Sequence, residues 1–143
     1  MNIDWASTIV DYAGVYFDIE MDGESLRPWV EGNEQLGRRT LLAEHPNDGR
    51  VLDDHPAYDM IRSTDPVLTG DPSGTTVYVY AETYNRKDGL TDRELYDLAL
   101  DPYQVESLAR IPDEEIAAKM KAFSARMAQL KICAGETCRS LGR

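Results

Sequence analysis

Alternating apolar and polar positions predict short β-strands in the middle of the chain. The clearest is Thr76–Tyr84, where Val77, Val79 and Ala81 would point to one face and tyrosines to the other. Three further strands are predicted at Arg39–Glu44, Tyr58–Ser63 and Arg93–Asp97. Because turn-forming residues separate these segments, we expect the strands to pair antiparallel.

A short helix is predicted near the beginning of the chain, over residues 4–13. Asp4 is its expected N-cap and Gly14 its expected C-cap. One face of this helix is apolar and consists of Trp5, Ile9 and Tyr12.

A longer helix is predicted from about Pro112 to Lys131. Its apolar residues recur at steps of three and four, and they are Ile116, Met120, Phe123, Met127 and Leu130. Such a stripe covers one face of a sheet. The predicted fold class is therefore α+β, with a small antiparallel sheet of about four strands packed by the long C-terminal helix.

Composition limits the classes of partner. The 143 residues carry a formal net charge of -11, with 42% hydrophobic and 29% charged residues, as in one soluble domain. The negative charge argues against a nucleic acid and against an anionic membrane surface as partners. No basic or apolar leader follows Met1, so we expect no signal peptide, and the chain is either cytoplasmic or continues upstream.

Two cysteines, Cys133 and Cys138, lie close together near the C-terminus. Their spacing fits neither a C-x-x-C redox pair nor a zinc knuckle. A local disulfide between them is the favoured interpretation, and two free thiols are the alternative. A disulfide would imply an oxidising compartment and would hold the tail rather than the fold, because it closes a short loop.

Several short motifs follow one another in a fixed order along the chain: Asp4–Gly14, Asp22-Gly23-Glu24-Ser25-Leu26-Arg27-Pro28, Leu41–Glu44, Ile61-Arg62, Leu95–Pro102 and Leu108-Ala109. This ordered series resembles the late sequence of the sulfatase family, of the arylsulfatase or N-acetylglucosamine-6-sulfatase-like kind. A long helix and the cysteine pair follow, so only the C-terminal portion of a sulfatase is represented. The resemblance implies that residues 1–37 come from the end of the catalytic domain and that residues 38–143 form the C-terminal subdomain.

The resemblance implies that the sulfatase chemistry belongs to a part of the enzyme outside this chain. Sulfatases of the alkaline-phosphatase-like fold use a formylglycine, made from the cysteine of a C-x-P-S-R motif, together with calcium. Neither Cys133 nor Cys138 begins such a motif. We therefore expect no catalytic residue, metal site or cofactor in this chain, and no activity by itself. Its partner would be the missing catalytic half, or a second copy through an apolar face.

Some positions depart from the family pattern. Arg62-Ser63-Thr64-Asp65-Pro66 replaces an Arg-Thr-x-x-x-Lys element, and Gln104 and Ser107 replace the usual Glu and Asn. Substrate contacts that the family makes in the hairpin after Arg62 are therefore not expected to carry over to this chain, whereas the fold is. The parent family is usually exported or lysosomal, whereas the location of this chain remains unknown.

The candidate site residues are few. The resemblance implies that Glu44 or His45 contacts the substrate, and Arg62 is a candidate for contact with sulfate. A solvated acidic loop is the alternative for the first two, and an ion pair is the alternative for Arg62. His45 and His55 with nearby carboxylates also suggest a small metalloenzyme.

Tyrosines define a second candidate surface, since Tyr78, Tyr80 and Tyr84 would stack against a sugar if they were exposed. Packing of these rings under a helix is the favoured interpretation. The functional hypotheses are thus a sulfatase C-terminal fragment that supports the substrate cleft and, as the alternative, a stand-alone carbohydrate-binding or interaction module.

Overall fold

The chain folds as an α+β structure with one antiparallel sheet and a long helix near the C-terminus. The computed structural model describes residues 1–16, 18–32, 37–46, 56–85 and 89–143. The strands in these ranges are β1 (Thr40–His45), β2 (Ala57–Ser63), β3 (Tyr78–Asn85) and β4 (Gly89–Asp97). The α-helices are α1 (Asp4–Ala13), α2 (Arg27–Val30), α3 (Pro66–Thr69), α4 (Glu114–Ile132) and α5 (Glu136–Gly142), and a 3-10 turn spans Leu108–Arg110.

Within the described ranges, the four strands form a meander in the order β1-β2-β3-β4, and every pair is antiparallel. Ile61 of β2 lies opposite Leu42 of β1 and Tyr80 of β3, and Tyr80 in turn lies opposite Leu95 of β4. This register places the four apolar side chains in one row on one face of the sheet. The predicted antiparallel sheet is confirmed, although β4 begins four residues earlier than predicted.

The core lies between this row and α4. Phe123 is fully buried, and its ring centroid lies 6.1 Å from that of Tyr78 and 6.0 Å from that of Tyr80. Met127 and Leu130 extend the same helix face into the core. The predicted stripe of α4 therefore covers the sheet, and the tyrosine row packs beneath it rather than facing solvent.

The N-terminal helix has the predicted bounds but not the predicted N-cap. Ile3 is the N-cap residue and makes no side-chain cap, whereas Asp4 is the first helical residue and only 1% exposed. The Asp4 carboxylate accepts hydrogen bonds from the Glu24 amide and the Arg38 guanidinium, each at 2.9 Å. The prediction of Asp4 as N-cap was wrong because these tertiary donors hold its carboxylate. Gly14 does end the helix, with φ of 63°.

Cys133 and Cys138 form a disulfide in the structure. It joins the end of α4 to the third residue of α5, so it closes the turn between the two helices. Among the helices of the described ranges, none has the length and apolar character needed to cross a lipid bilayer.

Candidate functional site

The two adjacent candidates at the end of β1 lie on opposite faces of the sheet. Glu44 lies opposite Asp59, in the row that α4 covers, and its side chain is exposed at the sheet edge. His45 lies opposite Tyr58 on the other face, and the two rings stack with centroids 5.4 Å apart. Because side chains alternate along a strand, Glu44 and His45 present different chemistry to the two sides.

Arg62, the third candidate, shares the face of His45 but lies at the other end of the strands. It is exposed and lies opposite Leu41, four residues from His45 along β1. At a rise of about 3.3 Å per residue, this corresponds to about 13 Å. The structure therefore does not bring Arg62 and His45 into one binding cluster. His55 and the acidic residues before it lie outside the described residues.

Glu44 and His45 border a hollow of about 510 Å³ at the edge of the sheet, which Pro46, Ala57, Asp59, Tyr84 and Lys131 also line. Lys131 forms an ion pair with Asp59, and its Nζ lies 5.7 Å from the centroid of the Tyr84 ring. These groups can hydrogen-bond a polar ligand. The sequence analysis did not predict their convergence, since it used Lys131 only as the expected end of the long helix. Asp59 and Lys131 lie 72 positions apart, and no local pattern joins them.

Within the part of the chain that the structure describes, Glu82 of β3 is the centre of an extensive buried polar network. Its carboxylate accepts hydrogen bonds from the hydroxyls of Tyr80 at 2.6 Å, Tyr84 at 2.5 Å and Ser124 at 2.8 Å. Arg93 Nε lies 3.4 Å away. Burial alone would raise the pKa of Glu82, but these donors stabilise the charged form and lower its pKa. The network joins α4 to β3 and β4, and its role is structural because the carboxylate is already surrounded by donors.

The described residues show no group of three or more His, Cys, Asp or Glu placed to hold a metal ion. The small-metalloenzyme hypothesis depends on His55, so it stays a prediction. The hypothesis that the tyrosines of β3 bind a carbohydrate has less support, because Tyr80 is 0% exposed and Tyr78 is 9% exposed. Neither ring is available to stack against a sugar.

The most unusual surface is the apolar face of α1, formed by Trp5, Ile9 and Tyr12. These three side chains are 64%, 63% and 51% exposed. Neighbouring segments add further exposed apolar residues, which include Val15, Tyr16, Ile19, Trp29 and Val30.

The inner face of α1 is polar, so its amphipathicity is reversed relative to a surface helix that packs its apolar side inward. Its buried residues are Asp4, Ser7 and Thr8. Ser7 donates a hydrogen bond to the Gly23 carbonyl at 2.9 Å, and Thr8 Oγ1 accepts one from the Leu26 amide at 2.9 Å. Polar bonds therefore hold the helix on this chain, and the apolar face points away from it. Contiguous exposed apolar patches of this kind are typical of interaction surfaces.

Comparison with known proteins finds three curated sulfatases that are similar to this chain, whereas no family model matches it. N-acetylglucosamine-6-sulfatase of Bos taurus is 29% identical over 155 positions, which cover 99% of this chain and 27% of the bovine protein. The Homo sapiens enzyme is 29% identical over 157 positions, which cover 99% of this chain and 28% of that protein. The Capra hircus enzyme is 28% identical over 153 positions, with coverages of 97% and 27%.

The chain thus spans little more than a quarter of the length of these curated relatives, since the covered shares are 27–28%. Almost the whole of this chain takes part in each match. The resemblance to the sulfatase family that the motifs predict is confirmed, and the matches are consistent with the C-terminal portion of a sulfatase.

Proposed function

We propose that this chain is the C-terminal portion of a sulfatase, a sulfuric ester hydrolase, and that its role there is to form one wall of the substrate cleft. Residues 38–143 would be the C-terminal subdomain, and residues 1–37 would belong to the end of the catalytic domain. The observation that carries this proposal is the reversed α1, which is polar toward the chain and apolar toward the outside. A helix so arranged is best explained by a larger body that packs against its apolar face.

The proposed occupant of that face is the catalytic portion of the same enzyme. The relatives that match this chain extend over about three to four times the matched length, since the covered shares are 27–28%. The formylglycine and the calcium ion would lie in that additional portion, because no C-x-P-S-R motif occurs in this chain. We therefore propose that the chain alone hydrolyses no sulfate ester, and release of sulfate by the purified chain would contradict this.

The substrate class proposed for the complete enzyme is a sulfate ester of N-acetylglucosamine, by analogy with the names of the matching relatives. Within this chain, Glu44 and His45 are the proposed contacts, because they border a hollow at one edge of the sheet that Asp59 and Lys131 also line. Arg62 lies at the other end of the strands and would serve a different contact. The test is a His45→Ala substitution in the complete enzyme, for which we expect a higher KM. An unchanged KM would argue against contact between His45 and the substrate.

An Ile9→Glu substitution tests the apolar face. Without a covering partner, we expect the purified chain to self-associate as its concentration rises, since Trp5, Ile9 and Tyr12 expose apolar area to water. A carboxylate in the centre of that face would have to be desolvated on association, so the variant is expected to weaken self-association by about tenfold or more. The measurement is the weight-average mass by light scattering over a range of protein concentrations.

The matched control is Ile111→Glu. Ile111 is 93% exposed and precedes α4, far from α1 along the chain, so the same chemical change is made outside the patch. We expect this variant to associate like the unmodified chain. A chain that stays monomeric at all concentrations, or two variants that behave alike, would count against α1 as the docking face.

A further inference from the structure

The loop closed by the disulfide, residues 133–138, binds carboxylates of a distant segment. The Gly135 amide donates a hydrogen bond to Asp22 Oδ1 at 2.6 Å, and the Glu136 amide donates one to Glu20 Oε1 at 2.9 Å. Both carboxylates belong to residues 20–25, which we call the strap. Two consecutive backbone N–H groups that converge on two carboxylates form charge-assisted hydrogen bonds, which are stronger than neutral ones.

Glycine is required at position 135 for this approach. Its φ is 55°, a left-handed value that side chains disfavour. A Cβ atom at this position would lie 2.1 Å from the Glu20 carboxyl carbon. A side chain here would therefore push the Glu20 carboxylate away from the Glu136 amide, and the positive φ would add backbone strain.

The opposite side of the strap holds α1. The Glu24 amide donates to Asp4, and the Gly23 carbonyl accepts from Ser7. A Cβ atom at Gly23 would lie 2.0 Å from the Ile3 carbonyl oxygen, so this contact is also close enough to require glycine. The strap thus connects α1 to the C-terminal end of the fold, beside the ion pair of Asp4 with Arg38.

Two arginines, Arg139 in α5 and Arg143 directly after it, add side-chain contacts to the strap. Arg139 donates to the Met21 carbonyl and to Glu20 Oε1 at 3.4 Å, and Arg143 Nε donates to Glu24 at 2.8 Å. The disulfide links α5 to the end of α4. At its other end, α5 is held by Arg126, which donates to the Leu141 carbonyl at 2.8 Å, and by the Arg39 amide, which donates to the Gly142 carbonyl at 2.7 Å. By contrast, the central core residues Ile61, Tyr80 and Phe123 pack between the sheet and α4 and take no part in these contacts.

We propose that the Cys133–Cys138 disulfide is a redox-sensitive switch that fixes the strap and α1 on the fold. A dithiol would reduce it by thiol–disulfide exchange, in which the S–S bond breaks, both cysteines become thiols and the dithiol becomes a cyclic disulfide. The amides of residues 135 and 136 then lose their fixed positions, and the strap and α1 are released while the sheet and α4 stay folded. This inference does not depend on the proposed function.

Hydrogen exchange of the complete chain with and without dithiothreitol tests the switch. On reduction, we expect protection in residues 4–13 and 20–26 to fall at least about tenfold, because charge-assisted hydrogen bonds are lost there. Protection in β2, β3 and α4 should change less than about twofold. A Cys133→Ser/Cys138→Ser variant should reproduce the reduced pattern without dithiothreitol.

Gly135→Ala separates the strap contacts from the disulfide itself. With the disulfide intact, this variant should also release residues 4–13 and 20–26, since a side chain at φ of 55° is strained and the added Cβ atom displaces the Glu20 carboxylate from the Glu136 amide. Unchanged protection of these segments on reduction would overturn the proposal. So would an equal loss across β2, β3 and α4, which would show that the disulfide supports the whole fold.

Discussion

Replacing Phe123 by alanine is expected to lower the free energy of unfolding by about 3–5 kcal/mol. The ring is 0% exposed and packs between Tyr78 and Tyr80, so its removal leaves a cavity that the flat face of the sheet cannot fill. For a domain whose total stability is about 5–15 kcal/mol, this is a large share. Equilibrium unfolding in urea, monitored by far-UV circular dichroism, provides the measurement.

Gln129→Ala is the matched control for this change. Gln129 lies on the same helix, but its side chain is exposed. We expect its replacement to change the unfolding free energy by less than about 0.5 kcal/mol. A loss below about 1 kcal/mol for Phe123→Ala would show that α4 does not cover the sheet in the way described.

The second large effect is expected for Glu82→Ala, at about 3 kcal/mol. This substitution removes the acceptor shared by the hydroxyls of Tyr80, Tyr84 and Ser124. Tyr80 is fully buried, so its hydroxyl would lose its charged acceptor at a site away from bulk water. Glu82→Gln keeps an acceptor of the same size, and we expect its loss to be clearly smaller. The measurement is urea unfolding of the two variants at neutral pH. Equal losses of unfolding free energy would contradict a stabilising role for the hydrogen bonds to residue 82.

The same carboxylate gives the unfolding free energy a defined dependence on pH. Because the pKa of Glu82 is lowered in the folded protein, its contribution is present above the ordinary value of about 4.3 and is lost as the pH falls through the lower folded value. Burial and the hydrogen bond to Glu82 raise the pKa of Tyr80 to about 12, so stability is also lost as the pH rises from about 10 through 12. Glu82→Gln should flatten the acid slope.

The sheet and α4 could be predicted from the sequence because their patterns are local. The folded protein has both the alternation of β3 and the apolar stripe of α4. The observed ends of these two elements lie within two residues of the predicted ends. The beginning of β4 could not be predicted in this way. Gly89 has little strand preference and is held there by its antiparallel neighbour Asn85. Helix α5 has only seven residues, too few for a periodic signal.

The candidate site could be predicted in part. The motif order indicated Glu44 and His45, and their alternation across the sheet follows from the period of a strand. Asp59 and Lys131 could not be assigned to the same hollow, because tertiary packing alone brings them together. The apolar side of α1 could be predicted from residues 5, 9 and 12, but not its outward direction. That direction depends on polar bonds from Ser7 and Thr8 to the segment around Gly23 and Leu26.

The coding DNA that precedes the codon for Met1 tests the central claim most directly. We predict a reading frame, continuous with this one or adjacent to it, that encodes a C-x-P-S-R motif. Such a frame would supply the formylglycine precursor and the body that covers Trp5, Ile9 and Tyr12. An upstream region that encodes an unrelated protein, or no protein, would contradict the assignment of this chain to a complete sulfatase.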